Sequence, residues 1–165
     1  MIRYAKIPTP SLGLLYATLH DEGLSGLYFE GGRHAPPIAS DWREDPKAEP
    51  FRTLARQLHE YLGGQRRTFD LVLAPRGTPF QMRVWDEIAR IPFGKTITYT
   101  ELARRAGAAE AMRAAGAATG RNPLSIVVPC HRVVGADGTL TGYAGGLDRK
   151  RRLLELEGVL QPALV

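Results

Sequence analysis

The sequence feature that most constrains this chain is its single cysteine, which follows a short apolar run and a proline. The run at 126–128 (Ile-Val-Val) indicates a short buried strand, which Pro129 ends. A lone thiol cannot form an intramolecular disulfide or complete a thiolate-rich zinc site, so structural uses of the cysteine are nearly excluded. Cys130 is therefore either a small buried hydrophobic residue or a nucleophile.

The two residues after Cys130 favour the nucleophile, because a nearby imidazole or guanidinium stabilises the reactive thiolate. These residues are His131 and Arg132. Neighbouring side chains point to opposite faces of a strand and diverge by about 100° on a helix, so direct contact between Cys130 and His131 requires a sharp turn of the backbone. A water between the two side chains is the easier arrangement for proton transfer.

The first half of the chain predicts a small α/β domain. Residues 1–29 have the pattern of strands with a hairpin turn at 21–23, and residues 30–48 have the pattern of a loop without obvious chemistry. An apolar stripe predicts a helix over 50–62, and residues 69–74 predict a further strand. We therefore expect a small antiparallel sheet that packs against one helix.

A linker around Pro75 and Gly77 separates two predicted domains, 1–76 and 77–165. The second domain is expected to be mostly helical. Capping boxes at 78–81 and 98–101 predict the starts of its first two helices.

The third helix of this domain, predicted over 109–119, is almost bare of side-chain bulk. Ala114, Ala115 and Gly116 lie in its middle, and Arg113 is the one long cation there. Two short helices joined by a tight glycine-containing turn suggest a helix-turn-helix. The bare surface suits close packing between helices, and it equally suits close approach to a nucleic-acid groove.

The last predicted helix, over 148–157, places one acidic residue on an apolar face. Leu153, Leu154, Leu156 and Leu160 define that face, and Glu157 falls in its middle. A carboxylate on a buried face needs a partner, and a structural salt bridge would supply one.

Charge favours a polyanionic partner for the C-terminal half. The chain carries a formal net charge of +5, and residues 78–165 hold twelve lysines and arginines against eight acidic residues. No segment approaches the roughly 20 consecutive apolar residues of a membrane span, and the N-terminus lacks the apolar core of a signal peptide. With one cysteine as well, we expect a cytoplasmic protein.

Several motifs together resemble the active-site region of the O6-alkylguanine-DNA alkyltransferases. They are Asn122-Pro123, the apolar run with Pro129 to Val133, and the segment 142–146 (Gly-Tyr-Ala-Gly-Gly). The match extends from about Thr78 to Gly158, whereas the N-terminal half resembles the family only in length and layout. The resemblance implies a ribonuclease-H-like N-terminal domain and a winged-helix-like helix-turn-helix in the C-terminal domain.

The same resemblance implies a suicidal DNA repair protein that flips O6-alkylguanine out of the duplex and transfers the alkyl group irreversibly to Cys130. Glu157, His131 and a water would take the thiol proton, and Asn122 would hold two active-site segments together. The product thioether has no bond that water readily cleaves, so each chain would react once. No cofactor or metal is expected, and the N-terminal half lacks the cysteines of the zinc site found in some members. A monomer is expected.

The resemblance also implies which residues contact DNA and the alkyl group. The bare helix would enter the minor groove with Arg113 in the space of the extruded base, and Tyr99 would handle the phosphate and base. Two departures from the family pattern could alter which alkyl groups fit: Ala144 replaces a frequent serine, and Thr119 replaces a larger polar residue. The implied DNA-binding residues are Arg113, Tyr99, Ala114, Ala115 and Gly116, and the implied pocket residues are Tyr143, Ala144, Gly145, Val133 and Tyr99.

Three other classes of protein fit this sequence less well. A relative that only binds alkylated DNA lacks the cysteine, whereas Cys130 is present here. A helix-turn-helix regulator usually reads the major groove with polar side chains, which the bare helix does not offer. A cysteine hydrolase would turn over repeatedly, and the loop pattern suggests no oxyanion site for one.

Overall fold

The N-terminal half contains a four-stranded sheet in the computed structural model, which describes residues 1–161. The strands are β1 (Arg3–Thr9), β2 (Gly13–His20), β3 (Gly23–Phe29) and β4 (Arg43–Glu44), in the order β3-β2-β1-β4. Two hairpins make β1, β2 and β3 antiparallel, as predicted. The sheet is mixed at one edge, because β4 comes from the segment predicted as a loop and lies parallel to β1.

A single amphipathic helix, α1 (Phe51–Leu62), supplies the other layer of this domain. Its apolar stripe recurs every three or four residues and is buried in the same cluster as the sheet, as predicted. Each fully buried leucine on this stripe contributes about 1.5–3 kcal/mol of transfer free energy. The buried members of the stripe are Phe51, Leu54, Leu58 and Tyr61.

The strand predicted at 69–74 is wrong, because this segment pairs with the sheet at one point only. Leu73 forms an isolated bridge to Leu24, and the backbone of Asp70 is bound instead by a side chain. The Gln57 amide donates to the Asp70 carbonyl at 3.1 Å and accepts from the Asp70 N–H at 2.9 Å. An apolar pattern cannot reveal that the side chain of a buried glutamine makes the backbone hydrogen bonds that a neighbouring strand would otherwise make.

The C-terminal half is helical, with α2 (Pro79–Ala89), α3 (Tyr99–Arg105), α4 (Met112–Gly120) and α5 (Leu147–Leu156). The capping box predicted at the start of α2 is complete. The Thr78 hydroxyl accepts from the N–H of Gln81 at 3.1 Å, and the Gln81 side chain accepts from the N–H of Thr78 at 3.0 Å.

The starts of α3 and α4 differ from their predicted form. At α3 only half of the capping box forms: the Thr98 hydroxyl accepts from the N–H of Glu101, but the Glu101 carboxylate pairs with Arg104 and Arg105. The fourth helix begins at Met112 rather than near Ala109, and no side chain caps its first turn.

The strand predicted at 126–128 is also wrong. These residues lie in turns, and Ile126 has a φ of 72°, in the left-handed region that a strand does not visit. These residues are still buried or half-buried. The apolar run therefore predicted their burial correctly but not their backbone conformation. The strand of this region follows the cysteine: β6 (Val133–Val134) pairs in parallel with β5 (Ile97–Thr98).

The edge strand of the N-terminal sheet holds the segment that leads to Cys130. In β3, the Leu27 N–H donates to the Pro123 carbonyl at 2.8 Å, and its carbonyl accepts from the Ser125 N–H at 3.1 Å. One hydrophobic cluster continues from the sheet into the C-terminal helices. The backbone that positions Cys130 is therefore fixed from both halves of the chain, while the boundary between domains 1–76 and 77–165 stays a prediction.

Candidate active site around Cys130

The backbone turns sharply at Cys130, where one turn of 3₁₀ helix runs from Cys130 to Arg132. The turn redirects consecutive side chains, so that His131 and Arg132 both reach the same carboxylate, that of Glu157. All three residues of the turn are buried, His131 completely.

Glu157 is the centre of a buried polar cluster and lies at the C-terminal cap of α5. Its side chain is fully buried, as the helical periodicity predicts, and both carboxylate oxygens are saturated with donors. Arg132 binds it with two nitrogens, a geometry that fits a guanidinium to a carboxylate. The donors are His131 Nε2 at 2.7 Å, Arg132 Nε at 2.8 Å and Nη2 at 2.9 Å, the Gly94 N–H at 3.2 Å and the Tyr61 hydroxyl.

These contacts determine the protonation of both partners. Burial alone would raise the pKa of Glu157, but hydrogen bonds from His131 and Arg132 outweigh it and lower that pKa to about 2. Burial lowers the pKa of His131, although Glu157 opposes this. Since an ionised Glu157 only accepts, the neutral imidazole carries its hydrogen on Nε2. The lone pair is then on Nδ1, which has no hydrogen-bond partner among residues 1–161.

The raised pKa of Cys130 favours the protonated thiol in the resting protein. Burial raises its pKa, and a hydrogen bond with Asn122 and the positive charge of Lys150 offset this only in part. His131 and Arg132, which the sequence predicts to favour the thiolate, both direct their side chains to Glu157. Thiolate formation therefore needs a base at the moment of reaction.

Asn122 organises the turns that precede Cys130. Its buried amide donates to the Val128 carbonyl at 2.8 Å, and its oxygen accepts from the N–H of Leu124 at 3.0 Å. These two bonds join the residues after α4 to the residues just before Pro129. The resemblance implies that Asn122 holds two active-site segments together, and that role stays a prediction.

Lys150 is a site residue that sequence analysis missed. It is fully buried, and its Nζ donates to the carbonyls of Val133 at 2.7 Å, Thr141 at 2.9 Å and Gly142 at 3.3 Å. Burial lowers its pKa to about 8, against the influence of Cys130. Lys150 lies three, four and seven residues before Leu153, Leu154 and Glu157, so the helical spacing that predicts the burial of Glu157 also predicts that of Lys150.

A cavity of about 340 Å³ has Cys130 in its lining. Its lining includes the C-terminal part of α4, the segment 142–144 and Tyr99. Of the predicted pocket residues, Tyr99, Tyr143 and Ala144 line it.

Two predicted pocket residues do not line this cavity. Gly145 is packed against Phe29, whose ring would lie 2.6 Å from an added Cβ. Val133 is fully buried in β6, opposite Ile97 of β5.

The N-terminal half also contributes to the cavity, through Arg33 and His34. Both lie in the segment predicted as a loop without chemistry. The Arg33 N–H donates to the Ala144 carbonyl at 2.8 Å, which attaches this loop to the pocket wall. A sequence pattern carries no signal for such a contact, because it joins residues more than a hundred positions apart.

The predicted DNA-binding residues do not all lie on the same face of α4. Arg113 and Ala114 are exposed and Gly116 is half-buried, whereas Ala115 is fully buried. The side chain of Ala115 is thus covered by the protein itself, and its role as a DNA contact stays a prediction. Tyr99 is half-buried, and its hydroxyl donates to the Thr141 carbonyl at 3.2 Å.

Neither metal ligation nor a membrane span emerges from the described part of the chain. Across residues 1–161, no group of three or more His, Cys, Asp or Glu side chains could hold a metal ion. None of the helices within those residues is long and apolar enough to cross a membrane.

Two models of known domains match most of the chain. Residues 2–75 match the ribonuclease-like domain of 6-O-methylguanine DNA methyltransferase, and residues 79–159 match its DNA-binding domain. The methylated-DNA–protein-cysteine methyltransferase of Methanosarcina barkeri is 47% identical over 154 residues, covering 93% of this chain and 96% of that relative. The protein of the same name from Mycobacterium tuberculosis is 45% identical over 163 residues, covering 99% and 96%.

Solved structures have the same two-part architecture, a sheet domain followed by a helical domain. Mycobacterium tuberculosis OGT in complex with DNA superposes with a TM-score of 0.86 at 44% identity, over 94% of this chain and 92% of that chain. O6-methylguanine-DNA methyltransferase of Pyrococcus kodakaraensis superposes with a TM-score of 0.64 at 27% identity, over 96% and 100%.

Proposed function

Because this chain belongs to the 6-O-methylguanine DNA methyltransferase family, we propose that Cys130 is the residue that receives the alkyl group. The protein binds DNA and repairs O6-alkylguanine by transferring the alkyl group to a cysteine. The observation that carries the assignment is that the only cysteine of the chain lines the cavity beside α4.

In the proposed reaction His131 is the base that removes the thiol proton. Glu157 keeps the hydrogen of the imidazole on Nε2, so the lone pair of Nδ1 is available to take the Sγ proton through a water. The Sγ electron pair then forms a bond to the alkyl carbon, and the bond between that carbon and O6 breaks. Its electron pair leaves with guanine, which regains a proton, and the sulfur is left as a thioether.

The burial of Cys130 supports base flipping. A guanine stacked in a duplex cannot bring its O6 substituent to a thiol that is 5% exposed, so the nucleotide must leave the stack and enter the cavity. We propose that α4 lies in the minor groove and that the exposed Arg113 fills the vacated space. Tyr99, at the cavity wall, would contact the phosphate or base as it turns.

The finer features follow from the same proposal. The thioether cannot be hydrolysed readily, and the chain has no second thiol to displace the adduct, so each molecule reacts once. We propose that α3 and α4 form a winged-helix-like helix-turn-helix, that the N-terminal domain is ribonuclease-H-like, and that the protein acts as a cytoplasmic monomer on double-stranded DNA, without a cofactor.

The stoichiometry of transfer tests the assignment of Cys130. Excess duplex containing O6-methylguanine should add one methyl group per chain, located at Cys130 by mass spectrometry of the intact protein and its peptides. Cys130→Ser should still bind the duplex, because α4 is untouched. It should transfer almost nothing, because a serine hydroxyl is far less ionised at neutral pH than a thiol.

Two results would overturn the assignment. Multiple turnovers, or transfer that survives in Cys130→Ser, would mean that another group accepts the alkyl carbon. Tight binding of the alkylated duplex without any mass change would identify a protein that recognises the lesion without repairing it.

A further inference from the structure

A second cavity, of about 270 Å³, adjoins the one that contains Cys130. The two cavities share the lining residues Arg33, His34, Arg121 and Ala144, so they form one continuous depression. The second cavity lies between the halves of the chain. Arg76 of the predicted linker lines this cavity but not the one that contains Cys130.

The second cavity is strongly basic. Its lining includes Arg33, Arg76 and Arg121 and contains no aspartate or glutamate. All three arginines are exposed, and within residues 1–161 none of their guanidinium groups forms an ion pair or a side-chain hydrogen bond. Other arginines of this chain, such as Arg66 and Arg104, are paired with carboxylates. Three unpaired guanidinium groups around one depression form a site for an anion.

The loop that carries Arg33 is held in place rather than free. The Arg33 N–H donates to the Ala144 carbonyl, and the Ala35 N–H donates to the Gly32 carbonyl at 3.2 Å. Between them His34 adopts a φ of 64°, a left-handed conformation that non-glycine residues rarely occupy. Burial and the positive charges of Arg121 and Arg33 lower the pKa of His34, which is consistent with a positive potential here.

We propose that Arg33, Arg76 and Arg121 form a phosphate-binding groove in which both halves of the chain bind the DNA strand beside the extruded nucleotide. This inference rests on the proposed function, because it takes the Cys130 cavity as the place of that nucleotide. The strand must pass the mouth of the cavity, where Arg33 and Arg121 lie, and Arg121 directly follows α4. Continuity with this cavity and the lack of carboxylates favour DNA phosphates as the occupant.

Arg76→Gln is the sharpest test, because Arg76 lines the basic groove and not the Cys130 cavity. Binding of undamaged duplex DNA is measured by fluorescence anisotropy over a range of salt concentrations. Loss of one phosphate contact should reduce the slope of log affinity against log salt by about 0.9. The double variant Arg76→Gln with Arg121→Gln should reduce the slope nearly twice as much, and Arg76→Lys should keep most of it.

Arg52→Gln is the matched control, since it removes the same charge from an exposed position on α1 away from both cavities. Its salt slope should equal that of the unmodified protein. An Arg76→Gln slope that does not change, or an equal drop in Arg52→Gln, overturns the groove. Methyl transfer from free O6-methylguanine base is followed in parallel. If the unmodified protein fails to methylate Cys130, the proposed function fails. A reduced salt slope in Arg76→Gln with intact methyl transfer supports the groove.

Discussion

Two parts of the Cys130 site are built in opposite ways: the buried cluster around Glu157, here called the inner side, and the walls of the Cys130 cavity together with the exposed face of α4, here called the outer side. On the inner side the carboxylate of Glu157 is fully buried and surrounded by donors from His131, Arg132, Gly94 and Tyr61. On the outer side the walls are small residues of α4, loop backbone and exposed arginines that have no carboxylate partner within residues 1–161. The inner side holds the chemistry in a fixed geometry, and the outer side leaves space and positive charge for a large anionic substrate.

This difference has an energetic reason. A buried ion pair is tolerated only when its hydrogen bonds are complete, because desolvation of each charge costs several kcal/mol. The inner side therefore cannot lose one member without consequence for the others. The outer side has no such network, and its members should act nearly independently. Variants on the two sides should thus differ in size of effect and in whether they alter stability.

Glu157→Gln should break the inner side and have the largest effect among these variants. The amide leaves the Arg132 charge unpaired and no longer fixes the His131 tautomer, so methyl transfer from the free base should fall by about 10²-fold or more. Loss of a buried pair should also lower the free energy of unfolding by about 3–5 kcal/mol. Single-turnover kinetics and urea unfolding measure the two effects.

The stability difference between the unmodified protein and Glu157→Gln should depend on pH in a definite direction. Since Glu157 has a folded-state pKa of about 2, its contribution to stability is complete above its ordinary pKa and is lost as the pH falls through about 2. The stability gap between the unmodified protein and Glu157→Gln should therefore narrow below about pH 4.3. Glu155→Gln, an acidic neighbour on α5 without an ion pair in the described structure, is the control. A gap that stays constant to low pH would contradict the buried ion pair.

The inner side could be predicted in part from the sequence. The resemblance groups Cys130, His131 and Glu157, and helical periodicity independently places Glu157 on a buried face. Lys150 obeys the same periodicity, yet its neighbours Arg149 and Arg151 make it look like part of a solvated basic run. The contribution of Tyr61 could not be predicted, because its stripe indicates an ordinary core residue, and its hydroxyl meets Glu157 across 96 positions of the chain.

The outer side was less predictable, for a different reason. A helix as bare as α4 gives no amphipathic signal, so the sequence could not separate the buried Ala115 from the exposed Ala114. The turn at 126–128 was likewise hidden, since consecutive apolar residues report burial and not backbone conformation. Arg33 meets the cavity only because its loop hydrogen-bonds to Ala144.

Arg113→Ala should affect the outer side alone. If Arg113 fills the space of the extruded base, repair of O6-methylguanine in a duplex should slow by about 10-fold or more, while transfer from the free base slows far less. The unfolding free energy should change by less than about 0.5 kcal/mol, because the side chain is exposed. Arg52→Ala controls for the lost charge. Equal losses of transfer rate on the duplex and on the free base would contradict the intercalating role of Arg113. They would also mean that a change on the outer side disturbs the chemistry of the inner side.

Tyr61→Phe should have the smallest effect on methyl transfer among these variants. It tests a contact between the two halves of the chain. The ring keeps its contacts with Phe69 and Phe93, and only the hydroxyl that donates to Glu157 is lost. With one donor fewer, the carboxylate attracts the His131 proton more strongly, so the pKa of His131 should rise. Since His131 must be neutral to accept the thiol proton, the acid limb of the pH–rate profile for transfer from the free base should move to higher pH.

The shift of the acid limb tests whether the N-terminal domain influences the protonation of His131. Near neutral pH the rate should fall only a few-fold, because His131 and Arg132 still hold Glu157, so the full profile must be measured. Tyr16→Phe is the control: its hydroxyl donates to the Pro36 carbonyl, away from Glu157, and its acid limb should not move. Lower stability of Tyr61→Phe with an unmoved acid limb would make Tyr61 a packing residue. A moved limb would mean that α1 helps to set the protonation of the base from outside the catalytic domain.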